Sequence, residues 1–350
     1  MDEVVVGIVG LGYWGPNLLR NFSQIEQCKV KVCCDLDEEI LASIKKQYNY
    51  METTNSYSYL IEDSEIDAII IATSAATHYS LAKQAILNGK NVFVEKPLSL
   101  EVSHAEELAL MAEKHNVKLM VGHLMMYHPA VEMLKDMIKN SELGDIYYIY
   151  SQRVNLGLVR NDTNALWDFG PHDVSIIIYL LGIEPEIVSA KGRAYLQDNI
   201  EDVVFLNLQF SNKVMAQIQL SWLDPHKVRR TVIVGSRKMV VFDDMEPTEM
   251  IRIYDRGVNI QDYNSFGESL SLRFGDIRTP YIKMKEPLRI ECQHFIDCIN
   301  MNLEPKSDGW NGLQVVKVLT AAQESLNNGG ISVNKYDIFR EAFIKMDNKG

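Results

Sequence analysis

Two short segments of the sequence contain residues that could carry out acid–base chemistry on a hydroxyl group. The first is Glu95-Lys96-Pro97, which directly follows an apolar run at residues 92–94. A lysine at such a strand end can hydrogen-bond a substrate hydroxyl and favour its oxidation through positive charge. Pro97 favours an extended conformation of Lys96 and permits a cis peptide bond, so it would fix the direction of the ammonium group. From the tripeptide alone, a lysine packed at the rim of a sheet beside Glu95 is an equal alternative.

The second segment, residues 167–173, places Asp168 and His172 four positions apart, before an apolar run at residues 174–181 that predicts a helix. Both side chains face the same way if they lie in or beside the first helical turn. A carboxylate that holds one imidazole nitrogen leaves the other nitrogen able to take a proton near neutral pH. Alcohol oxidation requires this proton removal together with hydride transfer to a nicotinamide. A lone histidine at a helix start is more often a cap or a surface residue.

Glycines in a Gly-x-Gly-x-x-Gly pattern follow the first apolar run, residues 4–9, and precede a helical pattern. This context is the one that a dinucleotide-binding loop requires. Gly10 allows a tight turn, Gly12 lets the backbone approach a pyrophosphate, and Gly15 lets the helix and strand pack closely. A glycine turn without a cofactor is the alternative. The loop residues that we expect to contact a cofactor are Gly10, Gly12, Tyr13, Trp14 and Gly15.

Asp35 follows the second apolar run, residues 30–34, and lies about 20 positions past the last glycine of the loop. An acid at this position accepts hydrogen bonds from the adenosine ribose hydroxyls and repels a 2′-phosphate. The sequence therefore predicts NAD rather than NADP as the cofactor, although a nearby arginine or lysine can override a single acid.

The alternation of short apolar runs and helical patterns as far as Gly122 predicts a parallel sheet with helices on both faces. After Gly122, strand-like segments follow one another, with helices at residues 129–138, 290–301 and 311–327 and a loop at residues 261–278. We therefore expect an α/β protein. A Rossmann-type, doubly wound domain at residues 1–122 would bind the dinucleotide, and an α+β domain at residues 123–350 would contain a large, mainly antiparallel open sheet. The strands predicted for this sheet are residues 146–155, 186–195, 203–210, 214–222, 230–234, 238–242 and 250–254.

The composition is that of an ordinary globular protein, because 47% of the 350 residues are hydrophobic and 23% are charged. The formal net charge of −12 argues against nucleic-acid binding, which needs clustered lysines and arginines. The five cysteines match no zinc pattern, so we expect reduced thiols and no metal site. We also expect a cytoplasmic protein without membrane association, because we find neither a signal peptide nor an apolar run of about 20 residues.

Taken together, these motifs resemble the Gfo/Idh/MocA family of oxidoreductases in order and spacing, over nearly the whole chain. The motifs that carry the resemblance are the glycine loop, Ala72-Thr73 with His78 five residues on, Glu95-Lys96-Pro97 and Asp168-x-x-x-His172. The resemblance implies that Lys96 is the catalytic lysine and that Asp168 and His172 are the acid/base pair. It implies further that NAD and a small-molecule substrate bind between the two domains. The residues implied to line the nicotinamide half of the cofactor site are Thr73, His78 and Glu95, and Lys96 is also expected to contact the cofactor.

One face of the predicted second sheet is not covered by the predicted helices. In the family that this chain resembles, the open sheet face often mediates dimers or tetramers. We therefore expect a homodimer or homotetramer formed through the C-terminal sheet, and a monomer with a solvated face is the alternative. The candidate residues on this face are Tyr148, Tyr150, Gln217 and Gln219.

The segment before Trp167 looks like that of family members that act on nucleotide-linked sugars, such as UDP-N-acetylglucosamine 3-dehydrogenases. Polar side chains there can contact sugar hydroxyls, an N-acetyl group or a diphosphate. The candidate substrate contacts are Asn155, Arg160 and Trp167, together with Lys96, Asp168 and His172. A basic cluster of Lys227, Arg229 and Arg230 is a further candidate, with solvated loop charges as the alternative.

The resemblance thus implies an NAD-dependent oxidation of a ring hydroxyl, with C3 of a UDP-N-acetyl-amino sugar as the expected position. The keto product would enter amino-sugar or surface-polysaccharide biosynthesis. A 3-ketosugar reductase is the nearest alternative, since one site serves both directions, and a dehydrogenase of a polyol such as myo-inositol is the next. A regulator that binds NAD as a signal belongs to a different class, and the joint presence of Lys96, Asp168 and His172 argues against it.

Overall fold

The computed structural model describes residues 3–157, 159–260 and 270–334 of the chain. The chain forms two compact units. The first unit comprises Met1–Tyr127 and Lys285–Lys317, and the second comprises His128–Met284 and Val318–Gly350. The domain boundary predicted from the sequence lies at residue 122 and places residues 285–317 in the second domain, so the two divisions differ in the placement of this segment.

The first unit contains a six-stranded parallel sheet with strand order β3-β2-β1-β4-β5-β6, which confirms the predicted Rossmann architecture. Its elements in chain order are β1 (Val4–Val9), α1 (Gly15–Ser23), β2 (Cys28–Cys34), α2 (Glu38–Gln47), β3 (Glu52–Thr54), α3 (Tyr57–Glu62), β4 (Ala68–Ile71), α4 (Ala75–Leu87), β5 (Asn91–Glu95), α5 (Val102–His115) and β6 (Leu119–Gly122). A 3-10 helix, Leu124–Tyr127, follows β6. The short elements β3 and α3 are absent from the sequence prediction because β3 has no apolar run.

The second unit contains a nine-stranded sheet with order β14-β13-β12-β11-β7-β10-β9-β8-β15, which confirms the predicted mainly antiparallel sheet. The remaining elements of the chain are α6 (Pro129–Lys139), β7 (Ile146–Val154), α7 (Ala165–Leu181), β8 (Ile187–Arg193), β9 (Val203–Gln209), β10 (Met215–Ser221), β11 (Val228–Gly235), β12 (Met239–Asp243), β13 (Ile251–Ile260), β14 (Leu270–Arg278), α8 (Pro287–Met301), α9 (Gly309–Asn327) and β15 (Val333–Asn334). Within this sheet, β7 and β10 pair in parallel.

Two differences from the predicted elements concern the second sheet and its helix. The loop predicted at residues 261–278 is wrong for residues 270–278, because they form β14 and pair with β13. Residues 261–269 of that predicted loop lie outside the described part of the chain. Helix α7 starts at Ala165, nine residues before the apolar run from which it was predicted, because Asn164 caps it.

Helix α8 belongs to the first unit because its apolar side packs on the Rossmann core. Phe295 of α8 makes edge-to-face contacts with Phe22 of α1 and Phe93 of β5, with ring centroids 6.4 and 5.7 Å apart. All three rings are fully buried. Burying each aromatic side chain stabilises the fold by about 1.5–3 kcal/mol, so this contact explains why a distant segment joins the first unit.

Candidate functional site

The glycine loop between β1 and α1 has the shape that a pyrophosphate requires. Gly10 has a φ of +88°, and a Cβ there would lie 2.7 Å from the backbone of Ala72. A Cβ on Gly15 would collide with the carbonyl oxygen of Gly10. Among the described residues, apart from its chain neighbours, no heavy atom would lie within 4 Å of a Cβ on Gly12. The loop is therefore tightly packed at its first and third glycines and open at the second, which fits a dinucleotide phosphate.

Asp35, which directly follows β2, is hydrogen-bonded to this loop. One carboxylate oxygen accepts the backbone N–H of Leu11 at 2.6 Å, and the other accepts the N–H of Asp37 at 3.0 Å. The next residue, Leu36, is 87% exposed. Asp37 caps α2, whose first turn carries two further acids. This concentration of negative charge beside the glycine loop disfavours a 2′-phosphate.

His78 joins the loops that follow β4 and β5. Its Nδ1 lies 2.7 Å from the carbonyl oxygen of Pro97, and its Nε2 lies 3.1 Å from the carbonyl oxygen of Thr73. The imidazole is 1% exposed, and burial lowers its pKa, although the two backbone contacts oppose this effect and the charge of Lys96 adds to it. Thr73 also hydrogen-bonds the hydroxyl of Thr77 at 2.7 Å.

Lys96 follows the last residue of β5, and its peptide bond to Pro97 is cis. Desolvation raises the pKa of Glu95 to about 7, while the positive charge of Lys96, its backbone N–H and the side chain of Trp14 oppose the rise. A Cβ on Gly122 of the neighbouring strand β6 would lie 3.0 Å from the Glu95 carboxylate. The structure therefore brings Trp14, Glu95 and Lys96 together at the carboxyl edge of the Rossmann sheet.

Two buried groups near this edge were missed by the sequence analysis. His123 directly follows β6, is 1% exposed, and places Nδ1 2.7 Å from the side-chain oxygen of Asn311. Glu291 of α8 is fully buried, and burial, followed by the charge of Glu95, raises its pKa well above the usual range. The available signal for Glu291 was its position four residues before Phe295, on the apolar side of the helix predicted at residues 290–301.

In the second unit, the start of α7 positions Asp168. The side-chain oxygen of Asn164 accepts the N–H of Trp167 at 3.1 Å and so caps the helix. Asp168 lies in the first turn and accepts the indole N–H of Trp222 at 3.1 Å through Oδ2. Its Oδ1 lies 3.8 Å from Nε of Arg160. The structure therefore brings the predicted residues Asp168 and Arg160 together, and Trp222, which the sequence analysis missed, contacts Asp168.

His172 lies one turn further along α7, and its carbonyl oxygen accepts the hydroxyl of Ser175 at 2.9 Å. The next residue, Asp173, is buried and accepts Nε of Arg153 and the hydroxyl of Ser151, each at 2.5 Å. These bonds tie α7 to β7 and fix the helix turn that carries His172. The pairing of the His172 imidazole with Asp168 stays a prediction.

Asn155 lies at the end of β7, beside the end of β10. Its backbone N–H donates to the carbonyl oxygen of Ser221 at 3.1 Å, and Ser221 directly precedes Trp222. The candidate substrate contact Asn155 therefore lies at the same strand ends as the residue that holds Asp168.

The basic cluster is largely occupied by acidic partners. Arg229 lies 3.4 Å from Asp244, and Arg230 lies 2.8 Å from Asp243. Arg160 lies farther from its acidic neighbours, 3.6 Å from Asp162 and 3.8 Å from Asp168, so it is the better candidate for an anionic part of a substrate.

Two classes of feature are absent from the described residues, 3–157, 159–260 and 270–334. In this part of the chain, no helix is long and apolar enough to cross a membrane. Over the same residues, no group of three or more histidine, cysteine, aspartate or glutamate side chains could hold a metal ion.

Comparison with known families matches both parts of the chain. A model of an oxidoreductase family with an NAD-binding Rossmann fold matches residues 4–123, and a model of the GFO/IDH/MocA C-terminal domain matches residues 131–241. The first unit is therefore an NAD-binding Rossmann domain, which confirms the predicted cofactor. Its discrimination against NADP stays a prediction.

Characterised relatives include two kinds of dehydrogenase. The UDP-N-acetylglucosamine 3-dehydrogenase of Acidithiobacillus ferrooxidans is 26% identical over 258 residues, which cover 73% of this chain and 79% of that protein. The scyllo-inositol 2-dehydrogenase (NAD(+)) of Bacillus subtilis is 26% identical over 340 residues, which cover 93% of this chain and 95% of that protein. A solved structure of the A. ferrooxidans enzyme is similar with a TM-score of 0.78 and 23% identity, covering 93% of this chain and 98% of that chain.

Proposed function

The chain belongs to the Gfo/Idh/MocA family of oxidoreductases, and on that premise we propose that it oxidises a ring hydroxyl of a nucleotide-linked sugar with NAD. The proposed position is C3 of a UDP-N-acetyl-amino sugar. The products are the 3-keto sugar, NADH and one proton. A keto sugar of this kind is a suitable substrate for a later aminotransferase.

The proposed reaction assigns one role to each of three side chains. NAD, when bound, accepts the hydride from the carbon. Lys96 donates a hydrogen bond to the hydroxyl oxygen and stabilises its negative charge as the proton leaves. His172 takes that proton, and Asp168 stabilises the imidazolium that results.

The observation that carries the proposal is the position of Lys96 in the Rossmann sheet. It follows β5, two strands from β1 in the same sheet, and β1 leads into the open glycine loop. Ligands of such sheets bind at the carboxyl ends of the strands. Burial is the main cause of the lowered pKa of both His78 and His123, and the charge of Lys96 adds to it in each case, which supports a position of the Lys96 ammonium near both imidazoles.

The choice of a nucleotide sugar is supported by polar groups in the second unit and by one of the relatives. Arg160 is 38% exposed in its side chain and is suited to an anionic substrate group, while Asn155 lies at the neighbouring strand ends. The A. ferrooxidans relative is named for a UDP-N-acetylglucosamine. A polyol remains the second candidate because the inositol dehydrogenase is equally similar and spans more of the chain.

Absorbance at 340 nm tests the proposal directly. The purified protein is incubated with NAD and a panel of UDP-sugars and inositols, and the reverse reaction is followed with NADH and the corresponding keto sugars. Turnover of a UDP-amino sugar supports the proposal. Turnover of inositols alone favours the polyol dehydrogenase, and NADH binding without turnover of any member favours a regulator.

Variants of the proposed catalytic residues test their roles. Lys96→Met and His172→Ala are each expected to lower kcat by at least about a hundredfold, the usual contribution of one acid–base group, with the Kd for NADH little changed. Lys83→Met, which removes a lysine paired with Glu107 on the helices α4 and α5, is the control and is expected to keep full activity. Unchanged rates in both catalytic variants would exclude the assigned roles.

We also propose that the face of the second sheet that carries Tyr148 and Tyr150 pairs with a second copy of the chain. Tyr148 and Tyr150 of β7 are 42% and 36% exposed, and Met215, opposite Tyr148, is 57% exposed. A contiguous apolar patch on one face of a sheet is typical of a subunit interface. Light scattering is expected to find a dimer or tetramer, and the pair of changes Tyr148→Glu and Tyr150→Glu is expected to reduce it to monomers. A monomeric wild-type protein at micromolar concentration would exclude the proposal.

A further inference from the structure

We infer that Trp222 is a positioning residue for Asp168, an assignment that rests on the proposed function because it gives Asp168 a role in proton transfer. Trp222 directly follows β10, and its side chain is fully buried. Its indole N–H donates to Oδ2 of Asp168 at 3.1 Å. The two residues are 54 positions apart, so this contact depends on the fold of the second unit.

The backbone of Trp222 is held by a hydrogen bond to a buried residue, Asp202. Its backbone N–H donates to the carbonyl oxygen of Asp202 at 3.0 Å. Asp202 is itself fully buried, and its carboxylate accepts the backbone N–H of Leu196 at 3.0 Å. A buried ring with an anchored backbone has little freedom to turn, so the direction of its N–H is fixed.

The chemistry of an indole suits this task. The indole N–H can only donate, so it stabilises an unprotonated carboxylate oxygen and offers nothing to a carboxylic acid proton. Arg160, at 3.8 Å from Oδ1, lies beyond hydrogen-bond distance and is itself 3.6 Å from Asp162. Trp222 therefore provides a short directional contact to Oδ2 of the Asp168 carboxylate, and the Arg160 guanidinium supplies positive charge at longer range.

The Asp168 side chain is 18% exposed, so most of its surface is removed from water. A donor to a partly buried carboxylate is worth more than one to a solvated carboxylate. Loss of the indole N–H is therefore expected to let the carboxylate rotate away from its working direction, with the cofactor site of the first unit unaffected.

Two substitutions at one position separate the N–H from the bulk of the ring. Trp222→Phe removes the donor and part of the ring, and replacement of Trp222 by benzothienylalanine keeps the bicyclic shape with sulfur in place of N–H. Both are expected to lower kcat by about 10- to 100-fold, the usual value of a hydrogen bond to a charged group, with the Kd for NADH unchanged. The isostere keeps the test valid if the smaller phenylalanine lowers stability.

The chain offers a matched control in the first unit. The indole N–H of Trp310 donates to Glu113 at 2.7 Å, outside the proposed site. Trp310→Phe removes the same type of bond and is expected to leave kcat unchanged.

NMR detects the contact between Trp222 and Asp168 independently of turnover. The protein has four tryptophans, so nitrogen-15 labelling of tryptophan gives a small set of indole N–H signals, which single Trp→Phe changes assign. Asp168→Asn is expected to move the Trp222 signal and leave that of Trp310 in place. Glu113→Gln is expected to do the reverse.

The outcomes distinguish this inference from the proposed function. A wild-type protein without turnover would count against the proposed function, and the indole signals would still decide whether Asp168 and Trp222 are coupled. The positioning role would be overturned by a wild-type kcat in the benzothienylalanine protein. It would also be overturned if the indole N–H signal of Trp222 does not move in Asp168→Asn.

Discussion

The side-chain oxygen of Asn311 lies 2.7 Å from Nδ1 of His123. An amide oxygen accepts hydrogen bonds, so the imidazole donates its proton from Nδ1 and keeps a lone pair on Nε2. Burial lowers the pKa of His123 to about 4; the Asn311 contact opposes this effect, and the charge of Lys96 adds to it. His123 is therefore a neutral hydrogen-bond acceptor beside the carboxyl edge of the Rossmann sheet at physiological pH.

This depressed pKa predicts sensitivity to acid. The unfolded chain binds a proton at His123 near pH 6.5 and the folded chain only near pH 4. The contribution of neutral His123 to the free energy of unfolding is therefore complete above pH 6.5 and is lost as pH falls to 4. The loss amounts to about 3 kcal/mol. His123→Gln removes this titration, so its Tm is expected to fall less steeply than that of the wild type between pH 6.5 and pH 4. The exposed His115→Gln is the control, and parallel Tm curves for wild type and His123→Gln would contradict the prediction.

Glu291 predicts the opposite dependence on pH. Burial and the charge of Glu95 raise its folded pKa, so above pH 4.5 the unfolded chain ionises while the folded chain holds the proton. The contribution of Glu291 to the free energy of unfolding therefore decreases as pH rises. Glu291→Gln cannot ionise, so its Tm relative to the wild type is expected to increase from pH 5 to pH 8. The expected increase is about 2–4 °C for each kcal/mol that the wild type loses in its free energy of unfolding. The measurement is differential scanning calorimetry.

The control for Glu291 is Glu304→Gln, because Glu304 is 77% exposed in its side chain and pairs with Lys118 at the surface. This change is expected to leave the pH dependence of Tm close to that of the wild type. A Tm difference between Glu291→Gln and wild type that stays constant from pH 5 to pH 8 would show that Glu291 ionises in the folded protein.

Much of the first unit could be predicted from sequence because its signals are local. The glycine loop, Asp35 and Lys96 each lie directly at the end of an apolar run, and the parallel sheet brings those ends to one edge. The contacts of Glu291 and Trp222 were missed for a different reason. Each depends on segments far apart in the chain, and neither residue stands in a spacing that marks its partner.

Asp35 predicts the cofactor preference. Asp35→Asn keeps an oxygen that can accept the N–H of Leu11 but loses the charge that repels a 2′-phosphate. The ratio of the Kd for NADPH to that for NADH is expected to fall by about tenfold, as one charge interaction of about 1.4 kcal/mol implies. Fluorescence titration with both reduced cofactors measures the ratio.

Asp37→Asn is the matched control, because asparagine still caps α2 and the change also removes one negative charge. Its ratio is expected to change less than that of Asp35→Asn. If the two variants shift the ratio equally, the general negative charge of this region sets the preference and Asp35 has no special part in it.

The glycine loop allows a test that separates stability from cofactor binding. A methyl group on Gly12 has open space beside it among the described residues, whereas one on Gly15 meets the carbonyl oxygen of Gly10. Gly12→Ala is therefore expected to keep the wild-type Tm and to weaken NADH binding by at least about tenfold, because the methyl group occupies the space of the pyrophosphate. Gly15→Ala is expected to lower the free energy of unfolding by about 1–3 kcal/mol through overpacking.

The two substitutions add the same atom three residues apart, so each is the control for the other. Calorimetry without cofactor gives the Tm, and fluorescence titration gives the Kd for NADH. Full NADH affinity in Gly12→Ala would show that the pyrophosphate does not approach this glycine, which would remove the structural basis for the cofactor's position. An unchanged Tm in Gly15→Ala would show that α1 can move away from β1 at little cost, in conflict with the close contact between Gly15 and Gly10.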